Sequence, residues 1–153
     1  MRELQWEAEF DGAINVFTAF GYFPEQEEDE QAAAAIARAL RPGGRFFIDT
    51  INPYALAGPS FRPRDWRRLP DGRLMLEERE FDPRTGRSLA TWTLVRADRT
   101  ESVLRHSLRA YTCAELIALF GRAGLETEAV HGSWDGADFA NSSWRLMLTA
   151  RRP

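Results

Sequence analysis

The feature that most constrains this chain is the joint Leu40-Arg41-Pro42-Gly43-Gly44 set between an Ala-rich run and the apolar run Arg45–Thr50. Gln31–Leu40 has high helix propensity. Pro42 cannot continue a helix, and Gly43-Gly44 supply a positive-φ turn into the next segment. Upstream, residues 10–17 are mostly apolar and alternate poorly, as a strand covered on both faces should. Helix, forced turn and two buried strands together predict a strand–helix–strand unit with a parallel pair of strands. Glu25, Glu27, Glu28, Asp29 and Glu30 crowd the start of the helix, where the macrodipole favours anions.

The pattern then changes. Residues 53–70 hold several prolines and little periodicity, and read as loop. Residues 74–81 and 88–96 flank the turn residues Asp82-Pro83-Arg84-Thr85-Gly86, which predicts a hairpin. Residues 102–111 alternate as a third strand, giving an antiparallel meander with one wet face. Thr112-Cys113-Ala114-Glu115 is a capping box that opens a helix over 114–123. Strands over 125–132 and 142–151 follow, the last pairing antiparallel with its neighbour.

Composition bounds the partners. The chain has 153 residues, 44% of them hydrophobic, and a net charge of −3, which suits one folded domain and gives no electrostatic case for nucleic acid or membrane binding. A single cysteine, Cys113, excludes an internal disulfide and makes a thiolate zinc site implausible. No signal-peptide core or apolar run of membrane-spanning length is present, and a cytoplasmic setting is expected.

The ordered set of motifs resembles the second half of class I S-adenosylmethionine-dependent methyltransferases. Phe10-Asp11 matches the start of the family's fourth strand. Leu40-Arg41-Pro42-Gly43-Gly44 matches the turn into the fifth, Tyr111-Thr112-Cys113-Ala114-Glu115-Leu116 the opening of the last helix, and Ala123-Gly124-Leu125 its close. The resemblance covers essentially the whole chain. It implies an α/β fold: the last four strands of a Rossmann-like sheet, in a single partial domain over 1–153, with an antiparallel β insert over 72–111 covering the active site. It also implies methyl transfer to a small-molecule acceptor. The Gly-rich cofactor loop of the family has no counterpart, since no Gly-x-Gly pair occurs in the sequence. Weak or no binding of S-adenosylmethionine is therefore expected from this chain alone. The rival reading is a non-enzymatic half-domain or pseudoenzyme acting as an interaction module. A lost, mis-annotated or separately supplied N-terminal half all fit the resemblance equally.

Ligands in open α/β sheets sit at the carboxyl ends of the strands. By the resemblance, Asn15, Phe17, Thr18 and Phe20 would line the cofactor, and Tyr22, Asn52 and Tyr54 the acceptor. No metal ligands and no catalytic residue are assigned. His106 reads as a solvated strand histidine in preference to a general base, His131 as a strand-end residue without an acidic partner, and Trp134-Asp135-Gly136 as a loop anchor. Cys113, in a first helical turn that lowers a thiol's pKa, reads as a small structural residue. With the family's first strand absent, residues 13–17 become an unpaired apolar edge, and a homodimer through that edge is expected.

Overall fold

The computed structural model describes residues 1–153 and contains two four-stranded sheets. The first is built from β1 (Phe10–Asn15), β2 (Leu40–Ile51), β7 (Glu126–His131) and β8 (Arg145–Arg151), in the order β1-β2-β8-β7. β1 and β2 are parallel, whereas β8 runs antiparallel to both β2 and β7. α1 (Gln26–Ala39) makes the crossover between β1 and β2. It starts five residues earlier than its propensity suggests, because the acidic stretch is its first turn: Glu27, Glu28 and Asp29 all lie there.

The Pro-Gly-Gly joint is a loop carried within β2. Phe10 pairs with Leu40 and Gly12 with Arg45, so four residues of β2 (41–44) are looped out against one of β1. Gly43 has φ +82°. A Cβ on Gly44 would lie 2.9 Å from the Arg41 carbonyl oxygen, so both positions require glycine.

One face of this sheet is packed. Phe46 and Ile48 of β2 and Leu146, Leu148 and Ala150 of β8 meet Ala32, Ala33, Ile36 and Ala37 of α1. Leu116, Leu119 and Phe120 of α3 (Cys113–Arg122) complete that core, and Thr112 caps α3 in the predicted capping box.

The second sheet has four strands rather than the three read from periodicity: β3 (Arg64–Arg68), β4 (Leu74–Asp82), β5 (Arg87–Val95) and β6 (Glu101–Arg109), each antiparallel to the next. β3 falls in the stretch read as loop, as does the one-turn helix α2 (Pro53–Leu56). All five β3 residues are exposed, so no alternating apolar signal exists to find; pairing with β4 alone makes it a strand. The sheet is tied to the core at the β6–α3 junction. The Arg109 amide donates to the Gly21 carbonyl at 2.7 Å, and the Ala110 amide to that of Gly86 at 2.8 Å.

Candidate functional site

The carboxyl end of β1 runs into a strained turn. Phe17 and Thr18 have φ of +58° and +59°, a region that a β-branched residue rarely adopts. The strain is held by Asp49, near the end of β2, which is fully buried. Its Oδ2 accepts from the Phe17 amide at 2.8 Å, and its carbonyl oxygen accepts from the Thr18 amide at 3.0 Å. Arg145 of β8 donates from Nε to Asp49 Oδ1 at 2.6 Å and from Nη2 to Thr18 Oγ1 at 3.0 Å. β2 and β8 thus fix the turn that follows β1 through a part-buried ion pair. Sequence reasoning did not single out Asp49 or Arg145. The available signal was an acid inside the apolar run Phe46–Ile51 with no partner nearby in sequence.

The seven site residues expected from sequence divide by environment. Asn15 is buried. Its Nδ2 lies 3.2 Å from Met1 Sδ, and its Oδ1 has no hydrogen-bond partner. Phe17 is 80% exposed, with its ring against Trp134 at 6.3 Å between centroids. Thr18 sits beside it, bound to Arg145. Phe20 is instead part of the core, with its ring against Tyr111 and Phe120. Asn52 is fully buried and committed to structure. Its Nδ2 donates to the Ser143 carbonyl at 2.7 Å and more weakly to those of Ala140 and Asn141, while its Oδ1 caps α2 by accepting from the Tyr54 amide at 3.1 Å. Tyr22 and Tyr54 are both half-exposed.

Tyr22 leads to the insert. Its ring lies 5.8 Å from that of His106, which also meets Trp92 edge-on at 4.7 Å. His106 is therefore half-buried, with two aromatic rings against it and part of its surface still open to solvent. Burial lowers its pKa from the usual histidine value, and the Glu77 charge opposes that shift. Glu77 of β4 lies between Arg67 at 3.1 Å and Arg79 at 3.3 Å. Cys113 agrees with its reading as a small structural residue, because burial raises its thiol pKa. His131 ends β7 with Nδ1 buried and unpartnered. Trp134 does anchor a loop, packing on Phe47 at 5.8 Å. An open hollow of about 960 Å³ lies over the insert sheet, where Arg64, Glu78, Thr91 and Arg105 form part of its lining. His106 is also among the residues that line it.

No protein-family model matches the chain. A curated relative, the cypemycin N-terminal methyltransferase of a Streptomyces species, is 29% identical over 154 residues, which are 99% of this chain and 62% of the relative. Among solved structures, the CcbJ methyltransferase of Streptomyces caelestis superposes with TM-score 0.83 at 21% identity, over 97% of this chain and 63% of that one. CalS10 of Micromonospora echinaspora, an amino pentose methyltransferase solved with S-adenosylmethionine bound, gives TM-score 0.66 at 22% identity, over 99% of this chain and 62% of that one. The chain thus spans a little under two thirds of the length of each.

Proposed function

We propose that this chain, whose fold is that of S-adenosylmethionine-dependent methyltransferases over some 60% of their length, contributes the acceptor side and part of the cofactor side of a small-molecule methyltransferase. The observation that carries the reading is the strained Phe17–Thr18 turn. It lies at the carboxyl end of a parallel strand, where α/β folds place ligands, and strain held by a buried ion pair is characteristic of such places.

The residues present suit the cofactor's methionine end. Asn15 Oδ1 is a buried acceptor lacking a donor, and the cofactor's ammonium is a donor. Asn15, Phe17 and Thr18 would hold it there. When bound, S-adenosylmethionine supplies an electrophilic methyl on a positively charged sulfur. The exposed Phe17 face offers that charge an aromatic surface. Tyr22 and Tyr54 would position the acceptor and exclude water from it.

An amine is the favoured acceptor. The named relatives act on an N-terminus and on an amino pentose, and the Tyr22–His106–Trp92 rings provide faces for a cationic or newly neutral amine. Burial lowers the His106 pKa and so favours its neutral ring beside Tyr22, with the Glu77 charge opposing that shift.

Titration of the labelled chain with S-adenosylmethionine, followed by amide NMR, tests this reading. Binding should be weak, with Kd above about 10 µM and into the millimolar range. Shifts should be confined to Asn15, Phe17, Thr18 and their neighbours on Asp49 and Arg145. Shifts centred on the insert trough, or none up to several millimolar, would refute it.

A further inference from the structure

β6 is an edge strand of the insert. It pairs only with β5, over an unbroken ladder from Arg87–Arg109 to Val95–Glu101. The Arg109 amide points away from β5, to the Gly21 carbonyl, so by alternation the backbone groups of Glu101, Val103 and Arg105 also point outward. The two halves of β6 differ. Near Arg109 the strand is covered by the loop at Gly21, and Leu108 is buried. Residues 101–105 are all exposed, with Val103 at 54% and Leu104 at 56%. No proline or bulge interrupts Glu101-Ser102-Val103-Leu104-Arg105. Glu101 and Arg105 take part in none of the chain's ion pairs. An open edge with exposed apolar side chains is a template for a further strand.

This half-strand is complementary to itself. Antiparallel pairing of two copies about Val103 sets Glu101 of each opposite Arg105 of the other, with Val103 against Val103 between the two ion pairs. Opposite charges directly across a strand pair stabilise it, and like charges destabilise it. Other registers forfeit this. Centring on Arg105 opposes that charge to itself, centring on Ser102 sets it against Arg99, and centring on Leu104 leaves both charges unpaired. The other open edges lack the pattern. β3 paired with itself about Trp66 sets Arg64 against Arg68 twice, β7 carries no lysine or arginine, and the one charge on β1, Asp11, is engaged by Arg41. We infer that residues 101–105 are a dimer contact: a second copy of this chain adds its β6 antiparallel, centred on Val103, and joins the two inserts into one continuous sheet. The contact does not depend on the proposed function, but it borders the same site. Its register carries Thr100 of each copy opposite His106 of the other, beside Tyr22.

A pairing of this length makes a small interface, so the dimer is weak, with Kd on the order of 10 to 100 µM. Sedimentation of the 153-residue chain from about 10 µM to about 1 mM spans that range. The expected result is a monomer–dimer equilibrium that weakens about tenfold or more in Glu101→Arg and in Arg105→Glu, and recovers when both reversals are combined. Both side chains are exposed, so the variants keep their fold, which circular dichroism verifies. Amide exchange at residues 101–105 should slow as concentration rises, and the His106 ring signals should shift in step with dimer formation. A chain that stays monomeric at about 1 mM would overturn the inference. So would a dimer indifferent to both reversals, a double reversal that fails to recover, or His106 signals that stay fixed while the dimer forms. A dimer lost in Ile14→Asp but kept in Glu101→Arg would place the contact on the β1 edge instead. Loss of S-adenosylmethionine binding with the dimer intact would refute the methyltransferase reading and leave this contact standing.

Discussion

At the scale of single residues, the molecule is organised by two buried acids with opposite surroundings. Asp49 is fully satisfied by two donors on its carboxylate, the Phe17 amide and the Arg145 guanidinium. Breaking one half of a buried pair leaves the other charge uncompensated, at about 3 kcal/mol or more. Asp49→Asn should therefore lower unfolding stability by roughly that amount in urea melts. It should also broaden the Phe17 and Thr18 amide signals, whereas Asp11→Asn, which disrupts an exposed pair with Arg41, should change stability by under about 1 kcal/mol.

Asp29 is the contrasting case. It is buried in the first turn of α1 with one oxygen accepting from the Tyr111 hydroxyl at 2.8 Å and the other unpartnered. Burial raises its pKa above the usual carboxylate value, and the Tyr111 hydrogen bond only partly opposes this. The sign follows from linkage. The folded state holds the proton more tightly than the unfolded chain, so stability is greatest below the unfolded pKa and declines as pH rises through the folded one. Asp29→Asn keeps an acceptor for Tyr111 and removes the charge. Its stability relative to the parent should improve from acidic to neutral pH, by about 1 kcal/mol. Thermal melts across that range check it, and a variant that loses ground as pH rises would contradict the assignment.

At the scale of elements, the junctions are more demanding than the elements they join. Gly21, at φ +96°, approaches β6 so closely that a Cβ would overlap the Arg109 carbonyl oxygen. Arg87 reaches across to the carbonyl oxygens of Phe23 and Pro24, and Arg109 to Glu115 at 2.6 Å. The Gly21 and Arg87 contacts hold the insert against the loop after β1, where Tyr22 meets His106, and the Arg109–Glu115 pair ties it to α3. The capping box at Thr112, the helix-ending Pro-Gly-Gly joint and the Asp82–Gly86 turn were all legible in sequence, because each is fixed by residues close together in the chain. β3 was not, since nothing in Arg64–Arg68 distinguishes an exposed edge strand from loop.

At the scale of the whole molecule, the two sheets have unequal support. β2 and β8 lie in a shared core with Phe46, Ile48, Leu146 and Leu148 at 1% exposure or less. The insert keeps Trp66, Leu76, Leu89, Val103 and Leu104 substantially exposed. Hydrogen exchange should therefore be slowest in β2 and β8 and faster throughout β3–β6, apart from the anchored end near Arg109. Uniform protection across both sheets would show that the insert unfolds only with the core.

What the sequence determined by itself is whatever local chemistry enforces. The helix between two apolar strands, its termination, the hairpin and the capped last helix each depend on neighbours a few residues apart, and so the α/β class and the family likeness could be read directly. Tertiary structure decided which apolar and polar groups meet. Phe20 and Phe17 look alike in sequence, yet one fills the core and the other faces solvent. Asn15 and Asn52 are both buried amides, yet only Asn52 has its partners, supplied by a loop some ninety residues away. Asp49 became the support of the site only when β8 folded back to bring Arg145 against it. Burial, strain and long-range pairing are properties of the packed chain, because they depend on what the other strands place alongside.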